Sequence, residues 1–566
     1  MARPPPRLIL LPPGADLADA FARDLIGRRR ARLPDLTQVT LVAGTAAAIP
    51  HLRRRLAHHA GRGLLGPDVV TLAGISARPV TSAPLLSALE CRLLLTEALR
   101  RYRNLFPGQD NARVAEALFE LFEELTAEHF DPGADEAAFR ERLARAYGGP
   151  PIAWLSREAQ IVHMLWLAFR QDSGGRSPAA AHLEGLRERL AAASPDDPVH
   201  LLGTDALSGG QRVLIGPALQ QGRAELWLAG RERGHDGVAL AALIRSLGVE
   251  PERRAAAPGP LSALLDGAFD RGDATVEGDW PLRIVEAGGT EHEARCVDLA
   301  VRQALLDGAR DVVVLTQDRR LARRLRALLE RAGVALQDPS GWALSTSRAA
   351  AALDAWLECI EGRFRFRPLL DLLKSGFAEA DPAALERLER KLVYGDGIDG
   401  GLGALLAAAH SKPLEGLLKR LKAAAFTLPR DDAALPAQRW TGQLIRSLES
   451  IGLRERLAQD EAGVQLARLL AQLDAAFARV PLALRWSEFR DLLDGAIERA
   501  TFAPSTARGA VRLLTLEQAA LIRCDVLVLA GATREQLPGG SPRDPFFSQS
   551  VRGEFGLPDW RARQAL

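Results

Sequence analysis

The chain has 566 residues, 47% of them hydrophobic and 25% charged, a composition that excludes a disordered chain and allows several hydrophobic cores, in three to five lobes. With 73 lysines and arginines against 71 acids, the formal charge of +2 provides no global field toward nucleic acid or a membrane surface, so any contact with a polyanion must come from local patches. The four cysteines, Cys91, Cys296, Cys359 and Cys524, are too dispersed for a CxxC pair, a zinc pattern or a compact disulfide framework, and are expected as reduced, mostly buried thiols.

In the opening MARPPPRLILLPPGADLADAF, Pro12 and Pro13 break an apolar run far shorter than a signal segment or membrane span, so the expectation is a cytoplasmic location and no membrane partner. Arg7 to Leu11 reads as a strand, Asp16 to Ile26 as a helix with apolar spacing at Leu17, Ala20, Phe21 and Leu25, and Thr37 to Val42 as a second strand. Thr40 to Leu56 passes from strand through a Gly-Thr turn into an arginine-bearing helix, and Val69 to Ser76 supplies another strand. From Leu85 to about Leu190 the apolar period becomes helical, with Pro/Gly breaks at 107–108, 132–133 and 149–151. Strand patterns return at Val199 to Asp205 and Ala224 to Gly230.

After a Pro/Gly-rich linker, Leu282 to Gly289 starts a second α/β unit. Its clearest piece is DVVVLTQDRRLARRLRALLERAGVAL: a buried-type strand, a turn at Thr316 to Asp318, and a helix closed by Gly333. Helical spacing resumes from Ala349 to about Ala500, and Val511 to Pro538 returns to strands. The fold class expected is α/β: two parallel-sheet lobes, each interrupted by an all-helical insertion. The first lobe spans 1–84 and 196–275 around an insertion at 85–195; the second spans 280–348 and 506–566 around an insertion at 349–505.

Open parallel sheets bind ligands beyond the carboxyl ends of their strands, which singles out two strand-to-helix turns followed by arginines. Thr316 with Arg319, Arg320 and Arg323 is the better candidate for a DNA backbone contact, and Thr45 with Arg53 and Arg54 has the same arrangement. A solvated charged face is the bland alternative for both. Thr515 is a third candidate, weighed against a structural threonine at a strand end. Of Trp154, Trp166, Trp342, Trp356 and Trp440, the expected exposed one, able to stack on a base, is Trp342, while Trp166 fits a core. His51, His58 and His59 lack metal-ligand spacing, and Gly209-Gly210 and Gly400-Gly401 lack the dinucleotide spacing, so no metal and no cofactor is expected.

The alternation of sheet and helical insertion resembles superfamily 1 helicases of the UvrD type, which have two RecA-like lobes. Glu286 to Ser345 is similar to the start of their second lobe, and Val511 to Pro538 to a later segment that in active members carries a Thr, a His and a Lys-Gly-Leu-Glu before an Asp. The ending PRDPFFSQSVRGEFGLPDW resembles AddB-like proteins and the related group called probable DNA repair proteins. This implies a bacterial helicase-nuclease acting in double-strand-break repair.

The ATP chemistry of that family is degenerate here. A P-loop wraps phosphates with glycine backbone N–H groups, reaches them with a lysine and holds Mg²⁺ with Ser/Thr. The corresponding turn is LLPPGADLADAF around Gly14, and the five lysines, Lys374, Lys391, Lys412, Lys419 and Lys422, all come later. Gly203 and Thr204 stand where the metal-holding acids belong, with Asp205 as a displaced acid; Arg231 replaces a usual Asp, and Glu517 and Ala520 to Arg523 replace the usual His and Lys-Gly-Leu-Glu, leaving Thr515 and Asp525 of the late signature. No catalytic residue is assigned and no intrinsic ATPase is expected. The nuclease domain of AddB-like proteins, with its clustered cysteines, is not found within the sequence. The resemblance therefore implies a non-catalytic subunit that binds DNA ends or single strands and scaffolds an active UvrD-like helicase-nuclease partner. Two alternatives are a docking remnant without nucleic-acid binding, and the front part of a nuclease. The Gly-Leu-Pro-Asp-Trp ending suggests an apolar surface left exposed.

Overall fold

The computed structural model describes residues 7–75, 85–102, 105–106, 111–130, 136–146, 153–232, 237–256, 281–378, 380–394, 401–409, 411–428, 433–503, 509–540 and 546–560. The chain divides into two compact units: Met1–Leu86 with Glu116–Gln337 and Arg508–Leu566, and Ser87–Ala115 with Asp338–Ala507.

The first unit holds two parallel sheets flanked by helices. Strands β1 (Arg7–Leu11), β2 (Thr40–Ala43), β3 (Asp68–Thr71), β4 (Val199–Leu202), β5 (Ala224–Ala229) and β6 (Glu252–Arg253) form a sheet of order β3-β2-β4-β5-β1-β6. Every neighbouring pair in it is parallel. Parallel strands joined by helical crossovers are covered on both faces, so they read as unbroken apolar runs, and successive side chains enter opposite cores. Leu8, Leu10, Val42, Leu201, Leu226 and Leu228 enter one core with helices Gly209–Gln220 and Val238–Leu247. Ile9, Leu11, Leu41, Val69, Leu202 and Trp227 enter the other with helices Leu17–Arg28 and Ile49–Ala60. Within this second core Glu225, 1% exposed, meets Arg28 at 2.8 Å, Arg7 at 3.2 Å, the Trp227 indole at 2.6 Å and His200 at 3.7 Å.

Strands β7 (Val312–Leu315) and β8 (Leu336–Gln337) begin the second sheet; four two-residue strands follow in the other unit, β9 (Trp342–Ala343), β10 (Leu435–Pro436), β11 (Ala483–Leu484) and β12 (Thr501–Phe502). With β13 (Val511–Leu514) and β14 (Val526–Leu529) the second sheet has order β14-β7-β13-β8, all parallel. Helices Thr290–Leu306 and Arg319–Arg331 cover one face over Val312, Val314, Val511 and Leu513. The segment Leu282 to Gly289, where the second α/β unit was expected to start, forms no strand: Leu282, Ile284 and Val285 are exposed, with Ile284 at 88%, and the sheet begins at β7. An apolar alternating segment becomes a strand only when a neighbour completes its ladder, and the outer edge of β14 has no partner among the described residues.

Helix Gln549–Phe555 near the chain's end packs on the helices at 111–146. Phe555 lies 5.0 Å from Phe130 and 5.5 Å from Phe139, and the Arg142 guanidinium stands over both Phe130 and Phe555. Phe547, Val551 and Leu557 are buried, and Arg552, 2% exposed, pairs with Glu124 and donates to the Pro558 carbonyl. The exposed apolar ending expected from sequence is thus corrected: its apolar side chains fill a small core of their own. No helix among the described residues is long and apolar enough to cross a membrane.

The second unit is helical. Helices including Ala88–Arg101, Arg348–Glu361, Ala437–Ser450, Glu461–Arg479 and Trp486–Arg499 surround the fully buried Trp356 and Trp440. Both indoles are satisfied, Trp356 by Ser447 Oγ at 3.1 Å and Trp440 by the Leu484 carbonyl at 2.8 Å, which leaves neither available for base stacking.

Candidate functional site

The chain runs from β1 to β2 in one direction across the first sheet and from β4 through β5 to β6 in the other, so the loops after β1, β2 and β4 border a topological switch point. Here the loop after β13, from the second sheet, fills that place. Gly203 follows β4 with φ +59°, and its N–H donates to the Trp227 carbonyl at 2.9 Å. Gly44 follows β2, and a Cβ on it would come within 2.2 Å of the Gly203 carbonyl oxygen. Leu521 lies against the second of these turns, since a Cβ on Gly203 would meet its Cδ1 at 2.5 Å. Leu521 itself sits at φ +62°, a left-handed conformation that β-carbon sterics disfavour for leucine, so surrounding contacts must hold it. Thr45 Oγ1 donates to the Ala520 carbonyl at 3.3 Å, and Arg523 donates to the Gly14 carbonyl at 3.0 Å and stands 3.7 Å from the Asp16 carboxylate. Beneath the loop, Ala47 packs with Val313, Leu315, Leu514 and Ile522.

The turn after β1 has the chain path of a phosphate cradle with the opposite charge. Gly14 turns at φ +74°, and Asp16 then caps helix Leu17–Arg28, accepting from the Asp19 N–H at 3.0 Å. The Asp16 carboxylate also meets His51 at 3.2 Å and Arg55 at 3.3 Å. Burial pushes its pKa up, but the hydrogen bonds from His51 and Asp19 and the charges of His51 and Arg523 outweigh this and hold it well below the usual carboxylate range. An ionised carboxylate therefore occupies the helix N-terminus where a phosphate would otherwise be favoured. The residues present do not fit a nucleotide: the apolar Leu521 covers the switch point and an acid caps the phosphate position.

The other residues singled out by sequence divide around this junction. Thr204 is 4% exposed with its Oγ1 unpartnered, Asp205 is exposed, and Arg231 is partly exposed. On the second sheet Thr316 is buried, its Oγ1 accepting from the Asp318 N–H at 3.1 Å, and Asp318 in turn caps helix Arg319–Arg331. Thr515 closes a turn with Gln518, N–H to Oε1 at 3.1 Å and the return bond at 3.3 Å. Glu517 accepts from Gln317 at 3.1 Å. Asp525, the retained acid of the late signature, accepts from the N–H groups of Arg310 and Asp311 and shapes the turn into β7.

Arg53 and Arg54 are exposed on helix Ile49–Ala60, as are Arg320 and Arg323 on their own helix, where Arg319 is partly buried. Trp342 belongs to the other unit, where it is part-buried in the β9–β12 ladder; it is less buried than Trp166, Trp356 and Trp440, in line with the ranking expected, though not fully exposed. Trp166 is in the core as expected; the side chain of Trp154, and Gly400, lie outside the described residues. The Gly209-Gly210 pair has a packing role, since Cβ atoms there would meet the Glu128 and Ala127 carbonyls at 2.5 and 2.7 Å. His51 and His59 serve as ion-pair partners of Asp16 and Asp19, and no metal-binding cluster occurs among the described residues.

No family model and no curated protein matches the chain. Leu521 and Arg523 were marked in sequence only as part of the stretch that replaces the Lys-Gly-Leu-Glu, and Asp16 was not singled out as a site residue. Asp16 was legible as a helix cap, whereas nothing in the spacing of ALIRCD marks a loop that crosses to another sheet.

Proposed function

We propose that the chain is a non-catalytic, helicase-like DNA-binding subunit, of the AddB-like kind its sequence resembles, that grips single strands or duplex ends for double-strand-break repair and scaffolds an active UvrD-like helicase-nuclease. The observation that carries the non-catalytic half is the loop Ala520–Arg523, lodged where an ATP-hydrolysing relative would place its nucleotide, with Asp16 at the phosphate position. Two parallel sheets meeting through their carboxyl-end loops support two RecA-like lobes set in a fixed relation. Phosphate contacts and base stacking require neither a P-loop lysine nor Mg²⁺, so a strand-binding role survives the loss of ATP chemistry. Arg53, Arg54, Arg320 and Arg323 are exposed and are among the side chains that could make such contacts.

A docking role without nucleic acid is favoured by one specific feature, the edge of β14, which has no partner strand among the described residues; Leu527 and Leu529 are 54% and 48% exposed there, and no charge or proline lies within the strand. Fluorescence anisotropy with a labelled oligothymidylate, at two salt concentrations and with and without ATP, separates the two. Salt-sensitive binding indifferent to ATP is the expected result. Absence of binding at low salt leaves the docking role.

A further inference from the structure

The helical second unit carries a groove of about 620 Å³ that none of the sequence motifs anticipated. Three helices build it. The first turn of Ala88–Arg101 contributes Leu89, Glu90 and Arg92; one face of Glu461–Arg479 contributes Gln465, Leu469, Gln472 and Arg479; the end of Trp486–Arg499 contributes Arg499. The spacing 465, 469, 472, 479 follows helical three- and four-residue steps, so these side chains share one face by geometry.

Glu90 is the one acid in the lining and is 3% exposed. Its carboxylate is committed on both oxygens: Ser87 N–H and Oγ reach Oε2 at 2.6 and 2.9 Å, and Arg479 reaches Oε1 at 2.9 Å. The described lining carries three guanidinium groups, those of Arg92, Arg479 and Arg499, and one carboxylate, that of Glu90. Leu89 and Leu469 add an apolar wall, and Gln465 and Gln472 present amides that both donate and accept. Positive charge for phosphate, an apolar surface for a ring face and amides for base edges, in a volume within the usual range of small-ligand sites, describe a nucleotide rather than a simple inorganic anion or an acidic peptide.

We propose that this groove seats a nucleotide of a bound single strand, with Arg92 and Arg499 on the phosphodiester and Arg479 held in place by Glu90. The inference rests on the strand-binding reading above and assigns that binding to the helical unit. The test compares the wild-type chain, the double variant Arg92→Ala/Arg499→Ala, the conservative pair Arg92→Lys/Arg499→Lys, and a control pair Arg387→Ala/Arg390→Ala on exposed sites of helix Pro382–Tyr394. The probe is 5′-fluorescein-labelled oligothymidylate at several salt concentrations.

The expected result is at least tenfold weaker binding for the alanine pair. Its log–log salt slope should shrink by about 1.4, at about 0.7 for each of two lost phosphate contacts. The lysine pair should retain most of the affinity, and the control pair should match the wild type. Photocrosslinking of a 5-bromodeoxyuridine-substituted strand to the wild-type chain, read by peptide mapping, should label the peptides containing residues 465–479 or 496–501, a readout independent of how the variants fold. Wild-type binding that the alanine pair leaves unchanged, or crosslinks confined to other peptides, overturns the groove and spares the strand-binding reading. No wild-type binding at low salt overturns both. Equal displacement of the probe by polyglutamate overturns the nucleotide as occupant and points to an acidic peptide.

Discussion

Leu521 rests against the bare α-carbon of Gly203, so closely that a methyl group there would lie 2.5 Å from Leu521 Cδ1. One residue belongs to the loop after β13 and the other to the turn after β4, and their contact joins the two sheets where an α/β protein ordinarily holds its ligand. Both are in the left-handed region, at φ +62° and +59°, a conformation natural to glycine and costly for leucine.

This pair defines a coupling. Gly203→Ala should destabilise the chain by about 1–2 kcal/mol from its backbone conformation alone, and further by driving Leu521 out of its seat. With Leu521→Gly already present, that further cost disappears, so urea unfolding of the two single variants and the double should give a coupling energy of about 0.5–3 kcal/mol. Strictly additive effects would mean that the two residues do not meet in solution.

Because the crevice is filled, ATP should not stabilise the protein. A site in the folded state saturated a hundredfold above its Kd would add about 2.7 kcal/mol, easily visible in thermal unfolding. The expected outcome is an unchanged midpoint with ATP and Mg²⁺ at millimolar concentration, for the wild type and for Arg523→Ala alike, since Asp16 still caps the phosphate position in the variant. A rise of several degrees would show a nucleotide site that coexists with the loop.

Glu225 has the most demanding environment of the first sheet. It is buried between Arg7, Arg28, Trp227 and His200, and its partners have been placed to serve a carboxylate. Glu225→Gln removes one of the two carboxylates that Arg7 and Arg28 share, leaving them Asp24 at 3.9 and 2.6 Å, and should cost about 1.5–3 kcal/mol in chemical unfolding, the range for a lost hydrogen bond to a charged group. A loss below about 1 kcal/mol would mean that the arginines find solvent at little cost.

Much of the fold was legible because parallel strands and crossover helices write themselves as apolar runs and 3.6-residue stripes, from Arg7 to Leu11 through Val312 to Leu315. Asp318 capping an arginine helix and Gly333 at its end were readable for the same local reason. Pairing partners were not: Leu282 to Val285 has a strand's pattern without a strand's neighbour, and Trp342 looked more exposed than it is because its turn carries no record of β12. The candidate site was legible as a set of departures around Gly14, Gly203 and Glu517. The residue that fills it, Leu521, is a leucine among apolar neighbours, and only tertiary structure gives it a meaning.

Acid should undo the first unit through the same carboxylates. Burial opposes ionisation of Glu225, yet His200 at 3.7 Å, the charge of Arg28 and the hydrogen bond from the Trp227 indole hold its pKa well below normal, as His51, Asp19 and Arg523 do for Asp16. A depressed folded-state pKa contributes stability that is complete above the unfolded value, about 3.9 for Asp and 4.3 for Glu, and is lost as the pH falls toward the folded value. Unfolding free energy should therefore be flat through neutral pH with respect to these groups and fall below about pH 4. Glu225→Gln should flatten the acid limb, and an unchanged limb would assign acid sensitivity to other groups.

Arg552 docks helix Gln549–Phe555. Its guanidinium is buried, pairs with Glu124 and donates to the Pro558 carbonyl, while Phe547 and Phe555 pack at 5.4 Å beside it. Arg552→Ala removes both contacts and leaves Glu124, itself partly exposed, to be solvated, so the cost should be on the order of 3 kcal/mol, near the lower end for breaking a buried pair. Limited proteolysis should then cut within 546–560 before any site in the two sheets, because that helix has its own small core and can open locally. Replacing the pair together, Arg552→Met with Glu124→Leu, should restore protease resistance by removing both charges at once. If the single variant resists as the wild type does, the aromatic contacts alone hold the helix and the ion pair only orients it.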